Sequence, residues 1–167
     1  AACLAGVMSF EDCIGLVLLR GQLFDTVPAG GMLSVPISLS QVEPLLGADL
    51  DIASVNAADL TVVSGPQAAL DKLQTELAAQ DIEAQRIPID IAAHSRMLDP
   101  ILQDFGDYLH SIDLHAPQIP IISNRTGQPL RAEEATDPSY WVRHLRNTVH
   151  FSDGIATLAR KRDRVYL

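Results

Sequence analysis

Between residues 31 and 91 the chain changes character in an order that few folds can satisfy. Residues 32–37 suit a strand, 40–46 a short helix, 50–56 a strand, and 60–63 another strand behind the turn formed by Asn56, Ala57, Ala58 and Asp59. Gly65 and Pro66 then open a helix whose Leu70, Leu73 and Leu77 fall at i, i+3 and i+7 on one face, and 83–89 returns as a strand. The order β-α-β-β-α-β is that of the split βαβ or ferredoxin-like unit. It predicts a small α/β unit over 31–91, inserted into a larger domain that takes up 1–30 and 92–167.

The flanks read as helices with intervening strands. Ser9 is placed to cap a helix running to about Gln22, and Ile14, Leu16, Val17, Leu18 and Leu19 make it apolar almost all round, the pattern of a buried helix. Arg20 is out of place in such a helix. Ser95 is expected to cap a helix with Leu98, Ile101, Leu102, Phe105, Leu109 and Ile112 along one face. Ile119, Ile121 and Ile122 suggest a strand, Asp137 and Pro138 an N-cap and first turn for a helix with Trp141 and Leu145, and Ser152 the cap of a last helix with Ile155 and Leu158 inward. Val165, Tyr166 and Leu167 read as a closing strand.

Bulk chemistry narrows the function. With 167 residues and a formal charge of −9, the chain lacks the basic surface that nucleic acid requires. Arg160, Lys161, Arg162 and Arg164 form its one basic cluster and read as a helix C-terminus complementing its dipole. No apolar run approaches the roughly 20 residues of a membrane span, and the N-terminus has no basic region of a secretory signal. Cys3 and Cys13 are too few for a disulfide framework, which fits a reducing cytoplasm. His110, His115, His144 and His150 show no ligand spacing with cysteines or carboxylates, so no metal site is expected. There is no GxGxxG, phosphate-binding loop, CxxC or GxSxG.

Three polar residues stand out. His94 lies where a strand gives way to a helix, a place where α/β proteins collect active sites, and is read either as a reacting group or as a polar cap. Arg20 either pairs structurally or offers its fork of donors to a carboxylate or phosphate. Asn56 either shapes the turn to Asp59 or faces a ligand.

Several blocks in order resemble the acyltransferase domain of modular polyketide synthases, relatives of the malonyl-CoA:acyl-carrier-protein transacylases: "AACLAGVMSFEDCIGLVLLRG", "PAGGMLSV", "ASVNAADLTVVSG", "AAHSRMLDPI", "IPIISNRTG", "DPSYWVRHLRNTVHFSDGI" and "RVYL". The resemblance covers nearly the whole chain. It implies an α/β-hydrolase-like large subdomain, here incomplete at both ends, with the ferredoxin-like βαββαβ unit as its small subdomain. It also implies a nucleophilic serine just upstream of Ala1, so that the chain alone is expected to be inactive. By position, His94 matches the family's catalytic histidine, Arg20 the arginine that holds the extender carboxylate, and Asn56 a substrate-side asparagine, although Ala57 and Ala58 stand where the family often has proline. Ile91, Ala92 and Ala93 occupy the positions that vary with extender choice and match neither the malonyl nor the methylmalonyl pattern. The implied substrates are an acyl-CoA and the phosphopantetheine arm of an acyl carrier protein, with no bound cofactor and with ketosynthase and linker neighbours. A free-standing fatty-acid-synthase transacylase, a serine hydrolase and a non-catalytic interaction module are the alternatives.

Overall fold

In the computed structural model, which describes residues 1–160, the chain enters helix α1 (Phe10–Phe24) through Ser9, whose Oγ accepts the Asp12 N–H at 3.0 Å. Glu11 and Asp12 place negative charge at the positive end of the helix dipole. The helix is not buried as its composition suggests. Only Leu23 is fully enclosed, while Phe10, Ile14, Val17 and Leu18 are exposed. One face alone, carrying Leu16, Leu19 and Phe24, has a packing partner among the described residues.

After a turn at 25–30 come β1 (Gly31–Val35), a short α2 (Leu39–Val42) continued by a 3-10 turn (Glu43–Leu45), β2 (Asp51–Ala57), β3 (Leu60–Gly65), α3 (Gln67–Ala78) and β4 (Gln85–Ile87). The four strands form one antiparallel sheet in the order β2-β3-β1-β4, the ferredoxin-like arrangement, with Leu33 opposite Val63 at its centre. Leu70, Leu73 and Leu77 of α3 bury their apolar faces against Leu33, Val35 and Val63. Strand β4 is shorter than the apolar pattern of 83–89 because Pro88 has no N–H to extend the ladder.

Ser95 opens the second half, accepting the Met97 N–H at 3.2 Å and donating to the Ala92 carbonyl at 2.7 Å. The expected helix starts as a 3-10 segment (Arg96–Ile101), consistent with Pro100 having no N–H to donate, and becomes α-helical as α4 (Leu102–Ser111). Leu98, Ile101, Phe105 and Leu109 meet Leu23 of α1 in a second core. Gly15 lets the two helices approach, since a Cβ there would overlap the Tyr108 hydroxyl, which donates to the Asp12 carbonyl at 3.1 Å. The strand expected at 119–122 is not formed among the described residues. Pro120 lacks a donor, and an isolated bridge from Ile122 to Pro129 is all the ladder that appears, with Ile119 left exposed.

Three helices complete the described chain: α5 (Ala132–Ala135), α6 (Pro138–Arg146) and α7 (Phe151–Ala159). Asp137 caps α6 by accepting the Ser139 N–H at 2.9 Å, as its position before Pro138 predicts. At α7 the residue in the cap position is His150, and Ser152 lies one residue inside; Ile155 faces out and Gly154 is the buried residue, against Ile122. Between α6 and α7 the chain joins the sheet. Val149 donates to the Ala53 carbonyl and accepts the Val55 N–H, each at 2.9 Å, and the Thr148 hydroxyl donates to the Ile52 carbonyl at 2.7 Å. The outer edge of β2 is thus paired with the segment following α6. Lys161, Arg162, Arg164 and the strand expected at 165–167 lie outside the described residues.

Candidate active site

Arg20, Ala93, His94 and His144 meet at a cavity of about 390 Å³ whose remaining wall, including Leu16, Phe24, Phe105, Trp141 and Leu145, is apolar. Three separate elements build it: α1 brings Arg20, the loop after β4 brings Ala93 and His94, and α6 brings His144. An apolar cavity with a few convergent polar groups is the usual form of a small-molecule site.

His94 does not end a strand. It follows the loop that begins at Pro88 and has φ +56°, a left-handed conformation that costs a non-glycine residue on the order of 1–2 kcal/mol. The next residues hold it there. Ser95 is tied to the Ala92 carbonyl, and Arg96 grips Asp51 at the start of β2 through its backbone N–H at 2.8 Å and through Nε and Nη2 at 2.9 Å each. The imidazole Nδ1 is buried without a hydrogen bond. Burial lowers the pKa of His94 below its ordinary 6.5; the nearby backbone carbonyls of Asn147 and His144 oppose that shift and the charge of Arg20 adds to it. The net result is a ring that is neutral, and therefore able to accept a proton, at pH 7.

Arg20 stands over the Phe24 ring, its guanidinium carbon 5.9 Å from the ring centroid. It forms no salt bridge with any described residue. A planar fork of donors, exposed at the edge of an apolar cavity and without an ion-pair partner among the described residues, suits a carboxylate.

The other expected residues divide. Ala93 lines the cavity, Ala92 is buried against Gly30, and Ile91 packs into the core shared by α1 and α4. Asn56 is not brought to the cavity; its side-chain oxygen accepts a short hydrogen bond from Ser54 on the same strand. His144 is the polar residue that the sequence did not single out for this site. The signal was present as Trp141, His144 and Leu145 at i, i+3 and i+4, one face of α6.

No serine, threonine or cysteine lines the cavity among the described residues, and no three histidine, cysteine or carboxylate groups there cluster as metal ligands. No helix of the described residues is long and apolar enough to cross a membrane. The arrangement offers a neutral imidazole, an arginine without an ion-pair partner among the described residues and an apolar wall, a combination suited to a small ligand that carries a negative charge.

Comparison with known proteins is consistent with that chemistry. A family model described as an acyl transferase domain matches residues 1–167. A PKS-NRPS hybrid synthetase of Aspergillus candidus is 39% identical over 173 residues, covering 100% of this chain and 7% of that protein. Mycoketide-CoA synthase of Mycobacterium tuberculosis is 38% identical over 156 residues, covering 93% of this chain and 4% of that protein. Among solved structures, the acyl transferase domain of SpnD in complex with 2-(pent-4-yn-1-yl)malonyl superposes with a TM-score of 0.92 at 39% identity, over 96% of this chain and 39% of that one. A malonyl CoA-acyl carrier protein transacylase from Clostridium perfringens, at 23% identity and a TM-score of 0.86, shares the fold. The chain therefore spans a small part of the synthases it matches and well under half of the SpnD domain.

Proposed function

Since the chain belongs to the acyl transferase domain family of polyketide synthases, we propose that it forms part of a site that moves a malonyl or methylmalonyl unit from coenzyme A to the phosphopantetheine thiol of an acyl carrier protein. The reading divides the chain into a large subdomain, 1–30 and 92–167, and the ferredoxin-like small subdomain, 31–91, with the site on the large side of their junction. The observation that carries it is Arg20, unpaired, in one apolar cavity with a neutral His94.

The nucleophile in this reading is a serine of the parent synthase outside these 167 residues. His94 takes the serine proton as the oxygen attacks the thioester carbonyl, and returns it to the departing coenzyme A thiolate, leaving an acyl-serine ester. In the second half-reaction His94 takes the proton of the carrier thiol, the sulfur attacks the ester, and the proton goes back to the serine oxygen. The backbone carbonyls at the end of α6 favour the charged ring and help stabilise the transient imidazolium. Arg20 holds the free carboxylate bidentately and so selects dicarboxylic over monocarboxylic acyl groups.

The scheme needs no bound cofactor. Ala93 leaves space beside His94 for a branch on the acyl group, but a methyl contact discriminates by only about 1–3 kcal/mol, so both extender units stay within the proposal. With a net charge of −9 the surface offers little general attraction to an acidic carrier, and tethering beside the ketosynthase and its linkers supplies the local concentration.

The test is the protein mass of the intact acyltransferase domain, serine included, after incubation with malonyl-CoA or methylmalonyl-CoA. A covalent acyl adduct is expected from at least one of them. Arg20→Ala should lower its formation on the order of a hundredfold, as expected for loss of a charge-assisted bidentate contact. Absence of any adduct from the folded, unsubstituted domain overturns the reading.

A further inference from the structure

His144 is placed with more care than a wall residue needs. Its ring is stacked on Tyr140, centroids 6.3 Å apart and planes 5° from parallel, and meets the edge of Trp141 at 6.2 Å. Tyr140 is itself fixed, its hydroxyl 2.7 Å from the Ser123 hydroxyl in the protein interior. The His144 imidazole lies 6.5 Å from that of His94, nearly edge-on, in the same cavity. Neither ring nitrogen forms a hydrogen bond with a described residue and neither is fully buried as His94 Nδ1 is; the ring lines this cavity and also a neighbouring one beside Ile121 and Leu130. A rigidly held ring with unspent polar atoms in an otherwise apolar wall is arranged to meet a polar ligand group.

The surrounding charges settle which form of the ring meets it. Burial, with the charges of His94, Arg125 and Arg20, drives its pKa down to about 4. At pH 7 it is a neutral imidazole, one nitrogen donating and the other accepting. A second fixed cation beside Arg20 would repel the proton that His94 must carry during the reaction; a neutral N–H donor does not.

We infer that His144 is a specificity-determining residue, whose ring N–H donates to the free carboxylate of the bound acyl group on the side that the Arg20 fork leaves uncovered. The inference rests on the acyltransferase reading above. The ligand class is a 2-carboxyacyl thioester, and the contact discriminates against acyl groups without that carboxylate. A carboxylate has about four acceptor positions, of which a bidentate arginine uses two, so room for the donor remains.

The experiment compares kcat/KM for loading of malonyl-CoA and acetyl-CoA by the intact domain and its His144→Phe and His144→Gln variants. His144→Phe keeps a ring to stack on Tyr140 and removes both nitrogens; His144→Gln keeps an N–H donor. The malonyl-to-acetyl ratio is expected to fall about tenfold in His144→Phe, mostly through KM, as for loss of one hydrogen bond to a charged group, and to recover in large part in His144→Gln. A ratio unchanged in His144→Phe overturns the assignment, whether or not the absolute rates drop, because a purely structural role lowers both substrates alike. Should His144→Phe not fold, the imidazole 15N resonances of His144 in the unsubstituted domain decide: they shift on adding malonate and not on adding uncharged malonamide, and the inference is overturned if malonate leaves them in place. Failure of the unsubstituted domain to load any acyl group overturns the parent reading together with this one, whereas normal loading with an unchanged ratio removes this one alone.

Discussion

His94 and His144 are the two residues whose protonation the fold has altered most usefully, and both alterations have a thermodynamic cost. In each, the folded pKa lies below the ordinary 6.5, so as pH falls the unfolded chain takes up protons that the folded chain refuses. The sign follows: for both, stability is full above pH 6.5 and declines as pH drops below it, and for His144 the decline runs to about 4 and is level below that. His144 alone accounts for a loss on the order of 3 kcal/mol across that window. Denaturant unfolding at pH 7.5 and pH 4.5 measures it, and His144→Phe is expected to shrink the difference between the two. At this scale the block "AAHSRMLDPI" drew His94 out of the sequence as a candidate, and the fold brings it to the cavity. His144 shares a helix face with Trp141 and Leu145, a local signal, but that this face meets a loop 50 positions earlier in the chain depends on α6 folding back, which the spacing alone does not contain. Asn56 illustrates the complementary point: its strand position is visible from sequence, whereas the cavity lining, which does not include it, is not.

Among the elements, the pairing of α1 with α4 decides where Arg20 stands. Gly15 permits the close approach, and the Tyr108 hydroxyl fastens the two helices through the Asp12 carbonyl. Gly15→Leu is therefore expected to destabilise the protein by about 1–3 kcal/mol despite leucine's better helix propensity, because its side chain must displace Tyr108. Thermal denaturation checks the sign, which propensity alone would reverse. Tyr108→Phe, which removes the fastening bond without adding bulk, should cost about 1 kcal/mol. Helices were well announced by their caps and spacing, as Ser9 and Asp137 show. What the pattern could not give was the state of 119–122, since isoleucines favour a strand only where a neighbouring strand supplies partners. Nor could composition show which apolar face of α1 would be covered among the described residues, because that depends on the neighbours.

At the scale of the molecule the two larger cores among the described residues lie one between the sheet and α3 and one among α1, α4 and α6, with smaller clusters around Val7 and Tyr140 and around Met32 and Ala53, and no fully buried residue belongs to both of the larger ones. Leu73→Ala in the first and Leu109→Ala in the second should each cost about 2–5 kcal/mol, and the double variant should show their sum to within about 0.5 kcal/mol, as for distant sites without shared partners. Urea denaturation of the three variants tests this, and strong non-additivity would show the cores to be mechanically one. The α/β class and the β-α-β-β-α-β order were readable because each strand and helix carries its own periodicity. The joint between the halves, where Thr148 and Val149 pair with β2, was not, since it is made of backbone groups that every residue possesses. That joint has a consequence for how the protein behaves in a crowded cell. A four-stranded sheet has two open rims, and unpaired rims recruit strands from other molecules. Here one rim is occupied by the chain's own residues, and the other is the three-residue β4, which carries Arg86 and is cut short at Pro88. The sheet therefore offers little template for the strand of another molecule.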